Sequence, residues 1–168
     1  MLHLLLAFFA GLFVKATDWM DDEEKGTGKL KYLLAFAYGT TIGYLLSQAG
    51  FSMLFLAALF AQVFARKIDT HTHVLGFVVA IAVMLVLGVP QFESVPFLVL
   101  LVAAFADESE GSGRYTYIQK YRPFLKLAAF AFVFFGRADF FLAIIAFDFG
   151  YVLYEWAKGN IHYKSQST

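Results

Sequence analysis

The sequence predicts an all-α membrane protein, a polytopic bundle of about seven transmembrane helices forming one domain over residues 1–168. Three observations carry that reading. Charged residues make up 15% of the chain, where a soluble domain carries roughly a quarter. Hydrophobic residues make up 60% and fall in long blocks such as Val74–Val89, "VLGFVVAIAVMLVLGV". The blocks approach the roughly 17–25 residues that cross a bilayer as helix, and charged or turn-forming residues separate them.

The first block, 2–17, is followed by an acidic cluster and lacks a basic leader and an Ala-x-Ala exit. It therefore reads as a membrane helix and not as a cleaved signal. Block 30–48 carries Tyr38, Thr41, Tyr44 and Gln48 at helical spacing. Its Gly39 and Gly43 let a neighbouring helix approach closely. Gln48-Ala49-Gly50 is turn chemistry, and block 51–66 follows. Block 73–89 ends at Gly88-Val89-Pro90. Block 94–106 is short and needs a thinned bilayer. Pro123 starts block 122–136 at a position where no backbone donor is lost. Gly136-Arg137 turns the chain into block 139–157.

Cation placement predicts the orientation. With seven spans, every Lys and Arg of the 13 except Arg137 lies on one side. That side is then cytoplasmic, with the C-terminus inside and the N-terminus outside. Net charge is zero and there are no cysteines. Nothing therefore points to nucleic acid as a partner, and disulfides and thiolate chemistry are excluded. The lipid bilayer is the expected partner; oligomeric state is not legible.

Two acid-rich stretches, "DEEKGTGK" at 22–29 and "DESEGSGR" at 107–114, follow spans 1 and 5. "FLAALFAQVF" at 55–64 parallels "FLAIIAFDFG" at 141–150. Together they raise a parallel three-plus-one-plus-three repeat, with units 1–67 and 92–157 linked by helix 73–89. The alternative is chance similarity between apolar segments.

Several clusters carry candidate chemistry. On a helix, Lys15, Asp18 and Asp22 share a face, with Asp21 one turn beyond Asp18. These carboxylates, with Asp107 and Glu108 of the second stretch, are the candidate ligands for Mg²⁺, which takes oxygen donors and bridges to substrate phosphates. Asp69 and His73 form a candidate acid/base set, and Arg66 and Lys67 a candidate phosphate grip. Lys15, Arg114, Lys120, Arg122, Tyr38 and Asp148 are the candidate substrate-binding residues. Asp148 falls near mid-span, where an ionisable group needs a partner; Tyr38, Thr41, Tyr44, Gln48 and Gln62 are the available ones. Each cluster also has a plainer reading: capping for the acids, an interfacial loop for 66–73, and helix packing for the stripe of span 2.

Asp18-x-x-Asp21 at the end of span 1 and Asp107 at the end of span 5 resemble the aspartate motifs of the UbiA superfamily of intramembrane prenyltransferases. The resemblance implies Mg²⁺ held by these carboxylates on an isoprenyl diphosphate, with cations binding the diphosphate. The chain departs from that pattern at Thr17, where the family has Asn, and at Lys25, where it has a third Asp. It also has seven spans in place of nine. Three functional readings follow: a metal-dependent enzyme acting on a lipid phosphate or diphosphate at the cytoplasmic interface, a small transporter or channel, and an accessory membrane subunit.

Overall fold

The computed structural model describes residues 1–22, 28–109 and 122–166, with side chains described as far as Lys158. Every regular element among them is helical: α1 (Leu2–Asp22), α2 (Leu30–Ser47), α3 (Ser52–Phe64), α4 (His71–Leu87), α5 (Ser94–Glu108), α6 (Pro123–Ala131, continued by a 3-10 turn, Phe132–Phe135) and α7 (Ala138–Gln166). These follow the seven apolar blocks of the sequence. Their lengths differ from the expectation of seven spans. Among the described residues, only α1 and the Ala138–Lys158 part of α7 are long and apolar enough to cross a membrane, while α3, α4 and α6 with its 3-10 turn are apolar but shorter.

The turns form where the residue types require them. Gly88 ends α4 at φ 111° and Gly136 ends the 3-10 turn at φ 79°, a region open to glycine because it has no Cβ. Thr70 caps α4, its hydroxyl accepting from the His73 N–H at 3.3 Å. Pro123 occupies the first turn of α6.

Helix packing closes a ring in the order α1, α2, α3, α5, α6, α7 and back to α1, with α4 lying along α2. This order maps onto itself when α1–α3 is exchanged with α5–α7. Small residues set the spacing, because they let helix backbones approach closely. A Cβ on Gly39 would come within 2.6 Å of the Gly76 carbonyl, and one on Gly43 within 2.5 Å of the Ala80 carbonyl. Ala7, Ala10, Ala57, Ala104, Ala129 and Ala143 are buried between helices. Each helix also exposes large apolar side chains, among them Leu5, Phe36, Phe64, Val86, Val102, Leu127 and Phe149.

Because successive helices alternate in direction, α1, α3, α5 and α7 end on the same side on which α2, α4 and α6 begin. The opposite side is tied by Arg137. Its guanidinium reaches Glu93 at 2.6 Å, Asp139 at 3.3 Å and the Ala49 carbonyl at 3.5 Å, joining all three loops there.

Candidate functional site

The ends of α1, α3 and α5 and the starts of α4 and α6 surround one cavity of about 540 Å³, a size typical of ligand sites. It runs along α3 from Arg66 and Lys67 to Leu54, roughly 18 Å at helical rise. The wall divides by chemistry. Lys15, Asp18, Asp21, Asp22, Arg66, Lys67, Asp69, His73, Asp107, Glu108 and Arg122 bring charge to the end where the helices terminate. Leu54, Phe55, Leu59, Phe77, Ile144 and Phe147 line it further along.

On α1, the helical phase that puts Asp18 and Asp21 on one side aims both at the start of α4. Asp18 lies 3.2 Å from His73 Nε2 and accepts from the Tyr151 hydroxyl at 3.2 Å. The same Tyr151 oxygen accepts from Lys15 at 3.2 Å. Asp21 accepts from the hydroxyls of Thr70 and Thr72 and pairs with Lys31 at 2.9 Å. Tyr38 is buried and donates to the Thr72 carbonyl at 3.3 Å. In the polar stripe of α2, the Thr41 hydroxyl donates to the Ala37 carbonyl of its own helix at 2.8 Å.

On the other wall, Glu108 holds Lys67 at 3.0 Å and Arg122 at 3.6 Å. Arg122 reaches back to Asp148 at 3.3 Å, and Asp148 also pairs with Lys126 at 2.6 Å. Asp148 therefore has partners, but they are two cations and none of the α2 or α3 polar groups expected. It is absent from the cavity wall and acts on it through Arg122. Asp107 caps α6, its two oxygens accepting from the N–H groups of Phe124 at 3.1 Å and Leu125 at 2.7 Å. Burial pushes the Asp107 carboxyl above its ordinary value, and the two N–H groups and Arg122 pull the other way.

Two arginines have a left-handed backbone, Arg66 at φ 55° and Arg122 at φ 46°, and both line the cavity. Arg66 ends α3: its N–H bonds to Val63 O at 3.1 Å and that of Lys67 to Gln62 O at 2.9 Å. A glycine usually takes this position. Arg66 is exposed, and its side chain has no hydrogen bond or ion pair with any described residue.

Among the described residues the carboxylates form no ready-made Mg²⁺ site. No group of three His, Asp or Glu among the described residues is arranged to hold a metal. Asp18, Asp21, Asp107 and Glu108 already bond to protein groups. Of the remaining expected residues, Arg114 and Lys120 lie outside the described residues, as do Glu23, Glu24, Lys25 and Glu110. Sequence reasoning missed Tyr151, Thr70 and Thr72. Tyr151 follows Ile144 and Phe147 at i+7 and i+4, so the phase of α7 could have identified it.

Fold and site together define an all-helical bundle enclosing a cavity charged at one end and apolar along its length. Comparison with known proteins returned no match, whether among family models, curated proteins or solved structures.

Proposed function

We propose that this chain is a multi-pass membrane protein that binds the phosphate or diphosphate of an isoprenoid-type lipid in this cavity and acts on it as an enzyme, with the charged end at the cytoplasmic interface. The observation that carries the reading is the division of the cavity wall. Lys15, Arg66, Lys67 and Arg122 suit an anionic headgroup, and the apolar stretch from Phe147 to Leu54 suits its hydrocarbon tail. Arg66 supports it most directly: a cation at the rim whose side chain has no partner among the described residues can pair with a phosphate without losing an ion pair to any of them. The exposed apolar side chains on all seven helices support a bilayer as surroundings, and the twelve-to-one division of cations supports the orientation. The UbiA-like placement of Asp18, Asp21 and Asp107 points to the same substrate class.

Binding of farnesyl diphosphate to protein in nanodiscs tests this, with farnesol and inorganic pyrophosphate as partial ligands and each measured with and without Mg²⁺. Farnesyl diphosphate should bind well above both, and Arg66→Ala with Lys67→Ala should weaken it by about tenfold or more. Equal binding of farnesol would show that the charged end recognises nothing.

A second reading, a transporter for such a solute, is favoured by the packing order, which two three-helix units exchange without change; some transporters share that plan. Uptake into proteoliposomes would reveal it.

A further inference from the structure

We propose that His73 is the general base of a hydrolysis in this cavity and that Asp18 is its positioning residue. This rests on the reading of the cavity as a lipid-phosphate site and names the reaction there.

The two residues come from different helices and are each fixed from behind. His73 stands in the first turn of α4, whose start is held by the Thr70 cap and by the bonds of Thr70 and Thr72 to Asp21. Asp18 has both oxygens engaged, one by His73 Nε2 at 3.2 Å and the other by the Tyr151 hydroxyl at 3.2 Å. A carboxylate against Nε2 keeps the proton on that nitrogen in the neutral ring and leaves the lone pair on Nδ1. Nδ1 has no partner among the described residues. The imidazole keeps 21% of its side chain exposed and lines the same cavity as Lys15, Arg66 and Lys67. A base oriented by an acceptor, beside cations that would hold the phosphoryl oxygens, is the arrangement that activates a nucleophile.

The step balances with water as co-reactant. Water oxygen bonds to the terminal phosphorus while one of its protons passes to Nδ1. The bond from phosphorus to the bridging oxygen breaks, and its electron pair stays on that oxygen. The proton on Nδ1 then passes to the departing lipid monophosphate, and orthophosphate leaves. Asp18 keeps the imidazolium oriented throughout and is not itself protonated.

Orthophosphate release from farnesyl diphosphate by nanodisc protein, measured beside binding, tests this. His73→Gln and His73→Ala should each lower kcat by about 10²- to 10⁴-fold and leave farnesyl diphosphate binding and helix content unchanged. Asp18→Asn should lower kcat without raising KM, and Asp18→Glu should recover part of it, a split that a purely structural role would not produce. Inorganic pyrophosphate should be a poorer substrate, because the apolar wall gives it nothing. Binding without phosphate release overturns this inference and leaves the cavity reading in place; absence of binding overturns both. Full turnover in both His73 variants, or an acid-labile phosphohistidine in the wild type, also overturns the general-base role.

Discussion

Gly11 on α1 and Gly150 on α7 hold the two longest helices in reciprocal contact: a methyl on Gly11 would collide with the carbonyl of Phe147, and one on Gly150 with the carbonyl of Phe8. Both obstacles are backbone, so no rotamer change relieves them. The contact fixes the phase of α1 against α7, and with it the meeting of Lys15, Asp18 and Tyr151. Gly11→Ala or Gly150→Ala should cost about 1–3 kcal/mol, read as a lower melting temperature in detergent. Either should also weaken farnesyl diphosphate binding, although neither residue touches the cavity. A wild-type melt for both would show that the helices can separate freely.

Arg66→Gly should raise stability and lower function. Arg66 stands where the C-terminus of α3 wants glycine, and a left-handed backbone costs a Cβ-bearing residue about 1 kcal/mol. The side chain has no described partner to lose, so the glycine variant should melt higher. It should also bind farnesyl diphosphate more weakly. Higher stability with unchanged affinity would remove Arg66 from the site.

Asp107 makes a prediction with a pH dependence. Asp107→Ala leaves the N–H groups of Phe124 and Leu125 without their acceptor and should cost about 1 kcal/mol, as the loss of a helix cap does. Burial raises the carboxyl pKa in the folded protein, so the folded state holds this proton more tightly than the unfolded chain. Its contribution to stability is full below the ordinary carboxylate range near 3.9 and is lost as pH rises through the raised value. Asp107→Asn cannot titrate. Unfolding of wild type and Asp107→Asn between about pH 4 and 7 should differ in slope by this one group; parallel curves would contradict it.

Arg137→Ala provides a contrast. It releases Glu93, Asp139 and the Ala49 carbonyl at the end remote from the cavity. These partners are partly exposed, so the expected loss is modest, about 1 kcal/mol or less. Farnesyl diphosphate binding and turnover should not change. A large fall in binding would show that the two ends of the bundle are coupled.

Much of the fold was legible because apolar helices are written in runs of apolar residues. Each block from 2–17 to 139–157 became a helix, since an apolar run between turn residues has few other ways to pair its backbone. Gly39 and Gly43 announced the close approach of α2 to a neighbour, and Pro123 the start of α6. Helix spacing also placed Lys15, Asp18 and Asp22 on one face. The sequence did not determine what these groups would meet. His73 is 55 positions from Asp18, and Tyr151 is 133 from it; only the packing of α1 against α2 and α7, with α4 lying along α2, brings them together. The acids looked alike in the sequence, yet packing gave Asp107 two backbone N–H groups, Asp21 two threonines and a lysine, and Asp148 two cations. A charge pattern states how many carboxylates a chain carries, and its spacing states which helix face they share. Which donor reaches each carboxylate depends on the angles and distances between helices, which arise from contacts such as Gly11 with Phe147 that leave no periodic mark in the chain.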